Sequence, residues 1–253
     1  MAINKVFKNP TVKKVIFQIQ FPNLFYLESK IPDLQLEIMR EFPESALIVK
    51  QPLVLFDSNN KIEVDNQETS NIVTQKIWEF KNNKGYVLAI SSNSLSIVST
   101  IHKTYNSDHD VKFRDTINFC LIAFEKYIKL PFVTRIGLRY IDECPLFEIT
   151  TENYSASFNT ALSLSKFPIE ELEQMHINIV KKYTEIKIRY QEYFNNSNND
   201  LKSIMLDFDA FATNINYEDC LSTTDKLHDI IETNFISTIK QPIIDFMDCD
   251  KNE

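Results

Sequence analysis

The alternation of apolar and polar residues predicts a central β-strand at residues 132–142. Successive side chains of a strand point to opposite faces of its sheet. One face of this strand is apolar and typical of a core: Phe132, Thr134, Ile136, Leu138 and Tyr140. The other face holds two arginines on either side of a glycine: Val133, Arg135, Gly137, Arg139 and Ile141. A glycine inside a strand often marks a close approach by another group.

The same period of two predicts further strands along the chain. They are residues 12–21, 46–56, 74–81, 86–90, 95–101, 175–179, 184–193 and 202–213. Helical spacing predicts helices from Pro32 to Phe42, from Phe113 to Ile128 and from Ser222 to Ile239, with a weaker one at 152–163. We place Pro32 in a first turn and expect Pro242 to end or kink the last helix. Residues 57–73 are polar and predict a loop, and Gly85 predicts a left-handed turn.

This order of elements predicts an α+β fold made of two related units. Each unit would be an antiparallel sheet packed against long helices, with the first unit at 1–131 and the second at 132–253. We expect the two units to pack as one compact body.

Composition narrows the class of protein. The chain has 253 residues, of which 43% are hydrophobic, and no apolar run approaches the length of a membrane span. The N-terminus lacks the apolar core of a signal peptide, and the four cysteines form no C-x-x-C pair. We therefore expect a cytoplasmic protein with free thiols. The net charge of −8 falls on the residues from Asp200 onward, which hold 12 acidic and 4 basic side chains and argue against general DNA coating.

No motif in the sequence indicates a named reaction. With two isolated glycines, the phosphate-binding and nucleophile loops that need several glycines are excluded. The four histidines stand singly, without zinc-ligand spacing, and are typical of structural or solvated positions. We therefore predict no catalytic residue and no cofactor, and favour a non-enzymatic protein.

Four charged residues on two strands form the first candidate site. Arg135 and Arg139 could bind an anion over Gly137, and Asp207 and Asp209 share one strand face that could hold Mg²⁺. Ordinary ion pairing on a sheet face is the more common role of such residues. A more specific hypothesis is that the arginines face the aspartates on a neighbouring strand and fix its register.

An aromatic strand beside basic residues forms the second candidate site. It combines Lys187 and Arg189 with an aromatic series on and beside the same strand: Tyr183, Tyr190, Tyr193 and Phe194. Aromatic and basic side chains together can stack single-stranded nucleic acid. A half-buried face of a sheet explains the same pattern and is the more common case.

Four stretches in this order resemble a known family: NPTVKKVIFQIQF, RIGLRYID, LDFDAF and LHDIIETNFISTIKQPIIDFM. Over essentially its whole length, the chain resembles a sporadically distributed, functionally uncharacterised family of bacterial and archaeal proteins of about 250 residues. The resemblance implies no reaction and no site residue. The patchy distribution of the family implies an accessory gene, for instance in antiviral defence or mobile cassettes.

These observations lead to two hypotheses. The first is a cytosolic binding or accessory protein that acts through a protein partner or self-association, with no role at the membrane. The second is a nucleotide- or nucleic-acid-binding protein, or a metal-dependent hydrolase, that uses Arg135, Arg139, Asp207 and Asp209.

Overall fold

A computed structural model describes residues 6–50, 75–102, 104–107, 112–196 and 203–249. The predicted loop at 57–73 and the end of the predicted strand 46–56 lie outside these residues. The strands are β1 (Val12–Gln20), β2 (Glu44–Lys50), β3 (Gln75–Lys81), β4 (Tyr86–Ser91), β5 (Ser94–Ser99), β6 (Phe132–Pro145), β7 (Gln174–Tyr183), β8 (Ile186–Asn195) and β9 (Ser203–Asn216). The helices are α1 (Leu27–Ile38), α2 (Phe113–Tyr127), α3 (Thr151–Ser157), α4 (Cys220–Thr238) and α5 (Gln241–Asp248).

The nine strands form one sheet in the order β2-β3-β4-β5-β1-β6-β9-β8-β7. Every pair of neighbouring strands is antiparallel. The α+β class is therefore confirmed. The prediction of two units packed against long helices is wrong, because β1 and β6 pair with each other and make the sheet continuous. The described helices are also short, from 7 to 19 residues. The division of the chain after Pro131 stays a prediction.

The predicted central strand is β6, which lies between β1 and β9. Ile136, Leu138 and Tyr140 are buried on the face that also carries Phe208 of β9. Phe208 meets Phe235 of α4 with ring centroids 6.1 Å apart. Helix α2 also packs on this side, where its Phe113 stacks on Tyr86 of β4. We therefore call this side the helical face. The opposite side, which carries the arginines and aspartates, we call the charged face.

Two prolines lie differently from the prediction. Pro32 lies inside α1, which begins at Leu27, and it interrupts the helical hydrogen bonds without ending the helix. Burial of Leu27 and Ile31 on the helical stripe stabilises the extra turn. Pro242 neither ends nor kinks α4, because α4 has ended at Thr238 and the proline lies in the first turn of α5. At Gly85 the backbone is left-handed, as predicted, with φ of 73°.

None of the described helices combines the length and the apolar character needed to cross a bilayer.

Candidate functional site

The arginines and aspartates of the first candidate site pair across β6 and β9. Arg139 binds Asp207 through two hydrogen bonds, Nε to Oδ1 at 2.8 Å and Nη2 to Oδ2 at 2.5 Å. Arg135 donates from Nη2 to both oxygens of Asp209 at 3.0 and 3.1 Å. The pairing hypothesis is confirmed. Both aspartates are occupied by guanidinium groups, so a metal ion here would have to displace them.

Gly137 is explained by the path of the Arg135 side chain. In the register of β6 and β9, Asp209 lies opposite Arg139, four residues beyond Arg135. The Arg135 guanidinium reaches it by crossing Gly137, where an added Cβ would lie 2.6 Å from Nη1. It also lies 4.8 Å from the ring centre of Phe211. The close approach that a strand glycine indicates is therefore made by the protein's own arginine.

Tyr190 lies on the other side of the sheet from the arginines. Its ring contacts Phe208 on the helical face, and its hydroxyl donates to Glu192 at 2.9 Å. Arg189, by contrast, lies on the charged face, 3.9 Å from Asp209. The structure therefore does not bring Tyr190 together with Arg135 or Arg139, nor with its basic neighbour in the sequence. The roles of these residues in ligand binding stay predictions.

A cavity of about 490 Å³ opens on the helical face. It lies between α4, His102 and residues 104–107 after β5, and the adjoining ends of β1 and β6. Its volume is in the range typical of small-molecule sites. Because many polar and titratable groups gather around this space, we take it as the candidate functional site.

The lining of this cavity is acidic. Four carboxyl groups contribute to it: Asp142, Asp225, Asp229 and Glu232. Among the described residues that line it there is no lysine and no arginine. A site of this kind repels anions and attracts cations.

Asp225, one of the four carboxylates, pairs with an arginine that lies outside the cavity lining. Arg114 of α2 donates Nε and Nη2 to the two oxygens of Asp225, at 2.7 and 2.8 Å. The Tyr105 hydroxyl donates to the same carboxylate at 2.7 Å. Burial raises the pKa of Asp225, but these donors and the positive charge of Arg114 outweigh it and hold that pKa below its usual value. Asp225 thus fastens the segment 104–107 and α2 to α4.

Asp142 is the most deeply buried acid of the cavity, with 2% of its surface exposed. It accepts a hydrogen bond from the Thr11 hydroxyl at 2.8 Å. Burial raises the pKa of Asp142, and the charge of Asp207 adds to this effect, whereas the hydrogen bond from Thr11 lowers the pKa. Together they give a pKa of about 7. Asp142 can therefore gain or lose a proton near neutral pH.

Two histidines and two tyrosines form a chain of ring contacts along the cavity. Tyr105 stacks on His228 with centroids 4.1 Å apart, and Tyr140 lies 5.9 Å from His228 and 5.3 Å from His102. Burial lowers the pKa of His102 to about 3, and burial also lowers that of His228. Both imidazoles are therefore neutral at pH 7.

Two polar atoms in this chain of rings lack a partner. Within the described part of the chain, the Tyr140 hydroxyl and His102 Nδ1 make no hydrogen bond. Their residues are 7% and 9% exposed, respectively. Because a buried polar group without a partner costs free energy, a bound ligand or water is expected to satisfy them.

Sequence reasoning missed this site. It treated His102 and His228 as isolated, since nothing local shows that the end of β5 and the middle of α4 meet. The available signal was the run His228-Asp229-x-x-Glu232, which places an imidazole and a carboxylate four residues apart on one helical face.

Comparisons with known proteins add no family to this picture. No family model matches the chain, and no curated protein matches it either. The resemblance in the strand and helix motifs stays a prediction.

Proposed function

We propose that this is a binding protein that holds a small, positively charged ligand in the cavity of the helical face. The observation that carries the proposal is the acidic lining, which holds four carboxyl groups and, among the described residues, no lysine and no arginine. Aromatic rings beside carboxylates favour cations, through the ring face and through charge. The unpartnered Tyr140 hydroxyl supplies an acceptor for a ligand N–H.

The charged face supports the alternative hypothesis less well. A nucleotide phosphate at Arg135 and Arg139 would have to compete with aspartates already held at 2.5–3.1 Å. The second candidate function, binding of nucleic acid along the Tyr190 strand, would need the aromatic and basic groups on one face. Tyr193 shares the charged face with Lys187 and Arg189, but Tyr190 packs on the opposite, helical face.

The wider role remains the one suggested by the resemblance. We propose a cytosolic accessory protein, acting in antiviral defence or a mobile cassette through a protein partner or self-association, with ligand binding as its input. Affinity purification from the native host, with mass spectrometry of co-purified proteins and small molecules, tests this wider role. A recovered nucleotide or RNA without any cation would contradict it.

The cavity proposal is tested by calorimetry with matched probes. Hexane-1,6-diamine and spermidine are the cationic probes, and hexanedioate is an anion of similar length. We expect the cations to bind and the anion not to bind. Glu232→Gln should weaken cation binding, whereas Glu125→Gln, at an exposed position of α2 outside the cavity, should not. Binding of the anion, or equal affinity in both variants, would refute the proposal.

A further inference from the structure

We propose that the cavity wall on α4 holds one divalent transition-metal ion, coordinated by His228, Asp229 and Glu232. This inference rests on the proposed function and specifies it, since the metal ion would be the cation, or part of the cation, that the cavity binds.

The geometry of the three side chains supports coordination. Their donor atoms, one from each residue, all lie within 4.8 Å of one another. His228 Nδ1 and Asp229 Oδ1 are 3.9 Å apart. Ligand atoms around a tetrahedral ion with bonds of about 2.0–2.1 Å are separated by roughly 3.3 Å. The Asp229 side chain is exposed and can rotate to close that difference.

The position on the helix suits a shared ion. His228 and Glu232 are four residues apart on α4, so their side chains lie one above the other on the same side of the helix. Tyr105 stacks on the imidazole at 4.1 Å and holds the plane of the ring. A ligand that is already oriented loses little freedom on binding the ion.

A second, independent feature points to a ligand at this place. The Tyr140 hydroxyl and His102 Nδ1 line the same cavity, are nine-tenths buried and have no hydrogen-bond partner in the described part of the chain. Tyr140 lies in ring contact with both histidines. Buried polar groups without a partner cost free energy, and three protein ligands leave coordination positions open on the ion.

The ligand set indicates the class of metal. One nitrogen and two carboxylate oxygens suit Zn²⁺, Mn²⁺ or Fe²⁺, whereas Ca²⁺ and Mg²⁺ prefer oxygen ligands alone. We therefore use Zn²⁺ and Mn²⁺ as probes, with Mg²⁺ for comparison.

The experiment is titration calorimetry of the full chain, made without a histidine tag and stripped with a chelator. We expect one equivalent of Zn²⁺ or Mn²⁺ to bind, with Mg²⁺ weaker by tenfold or more. His228→Ala and Glu232→Gln should each weaken Zn²⁺ binding at least tenfold. The matched controls are His176→Ala, on an exposed histidine of the charged face, and Glu125→Gln. They should leave the affinity unchanged.

The outcomes separate the two proposals. Absence of metal binding with binding of the organic diamine overturns the metal site and leaves the proposed function standing. Absence of both overturns both. Zn²⁺ binding that survives in His228→Ala and Glu232→Gln overturns the assignment of ligands. Glu232→Gln is nearly isosteric, and circular dichroism checks that each variant is folded.

Discussion

Replacing Asp142 by asparagine should make the protein more stable, and increasingly so as the pH rises. The side chain is 2% exposed, and burial raises its pKa to about 7, from an ordinary value of 3.8. Between these two values the unfolded chain releases the proton of Asp142 while the folded chain keeps it. Stability is therefore lost as the pH rises through this range, and it levels off above the folded pKa.

The magnitude follows from the pKa difference. Going from 3.8 to about 7 corresponds to roughly 4 kcal/mol at about 1.4 kcal/mol per pKa unit. Part of this stability has already been lost by pH 5, so the wild type should lose about 2.5 kcal/mol more between pH 5 and pH 8.5. Asparagine stays neutral and can keep an acceptor for the Thr11 hydroxyl. The free-energy difference between variant and wild type should grow by that amount over this range.

The assay is urea unfolding at several pH values, followed by the fluorescence of Trp78 on β3, the single tryptophan. The comparison with wild type is essential, because burial also raises the pKa of Glu192 to about 8 and adds a pH dependence of the same sign. Glu192→Gln provides the parallel case. A difference between Asp142→Asn and wild type that is constant from pH 5 to pH 8.5 would refute the reasoning.

Three further predictions concern the charged face and the thiols. Gly137→Ala should lower the free energy of unfolding by about 1 kcal/mol, because the added Cβ displaces the Arg135 guanidinium. In an Arg135→Ala background the same substitution should cost nothing, and equal losses in both backgrounds by urea unfolding would contradict this. Arg139→Ala should cost about 2 kcal/mol, since it leaves a nearly buried aspartate unpaired, whereas Arg189→Ala should change little because its ion pair is long and exposed. Cys249 should be the one thiol of the four that reacts rapidly with a thiol reagent in the native protein, and all four should react in urea.

The sequence was sufficient for features that depend on local periodicity. The alternation over 132–142 identified β6 and, from Arg135 onward, its two faces. At the start of the strand the assignment is wrong, because Phe132 is exposed and Val133 is buried. The pairing of its arginines with Asp207 and Asp209 follows from two strands whose charges recur at compatible spacing. The glycine between the arginines indicated a close approach, although only the coordinates identify Arg135 as the group that approaches.

Other features that depend on contacts between distant segments were not predicted. The join between β1 and β6 makes one sheet out of the two expected, and no local pattern distinguishes an edge strand from one that gains such a neighbour. The cavity has the same origin. His102 and His228 look isolated in the sequence and meet only because α4 packs beside the segment after β5. Its acidity becomes visible only when the fold brings Asp142, Asp225, Asp229 and Glu232 around one space.

The acidic lining of the cavity should couple the binding of a cation to the release of a proton, and this release can be measured. A cation in the cavity favours the ionised form of Asp142, whose pKa of about 7 leaves it roughly half protonated at pH 7. Binding should therefore release about half a proton at pH 7, and the affinity for the cation should rise with pH. Calorimetry in two buffers with different enthalpies of ionisation measures this release. It should disappear in Asp142→Asn; if the variant releases the same number of protons as the wild type, the proton comes from another group and Asp142 does not sense the ligand.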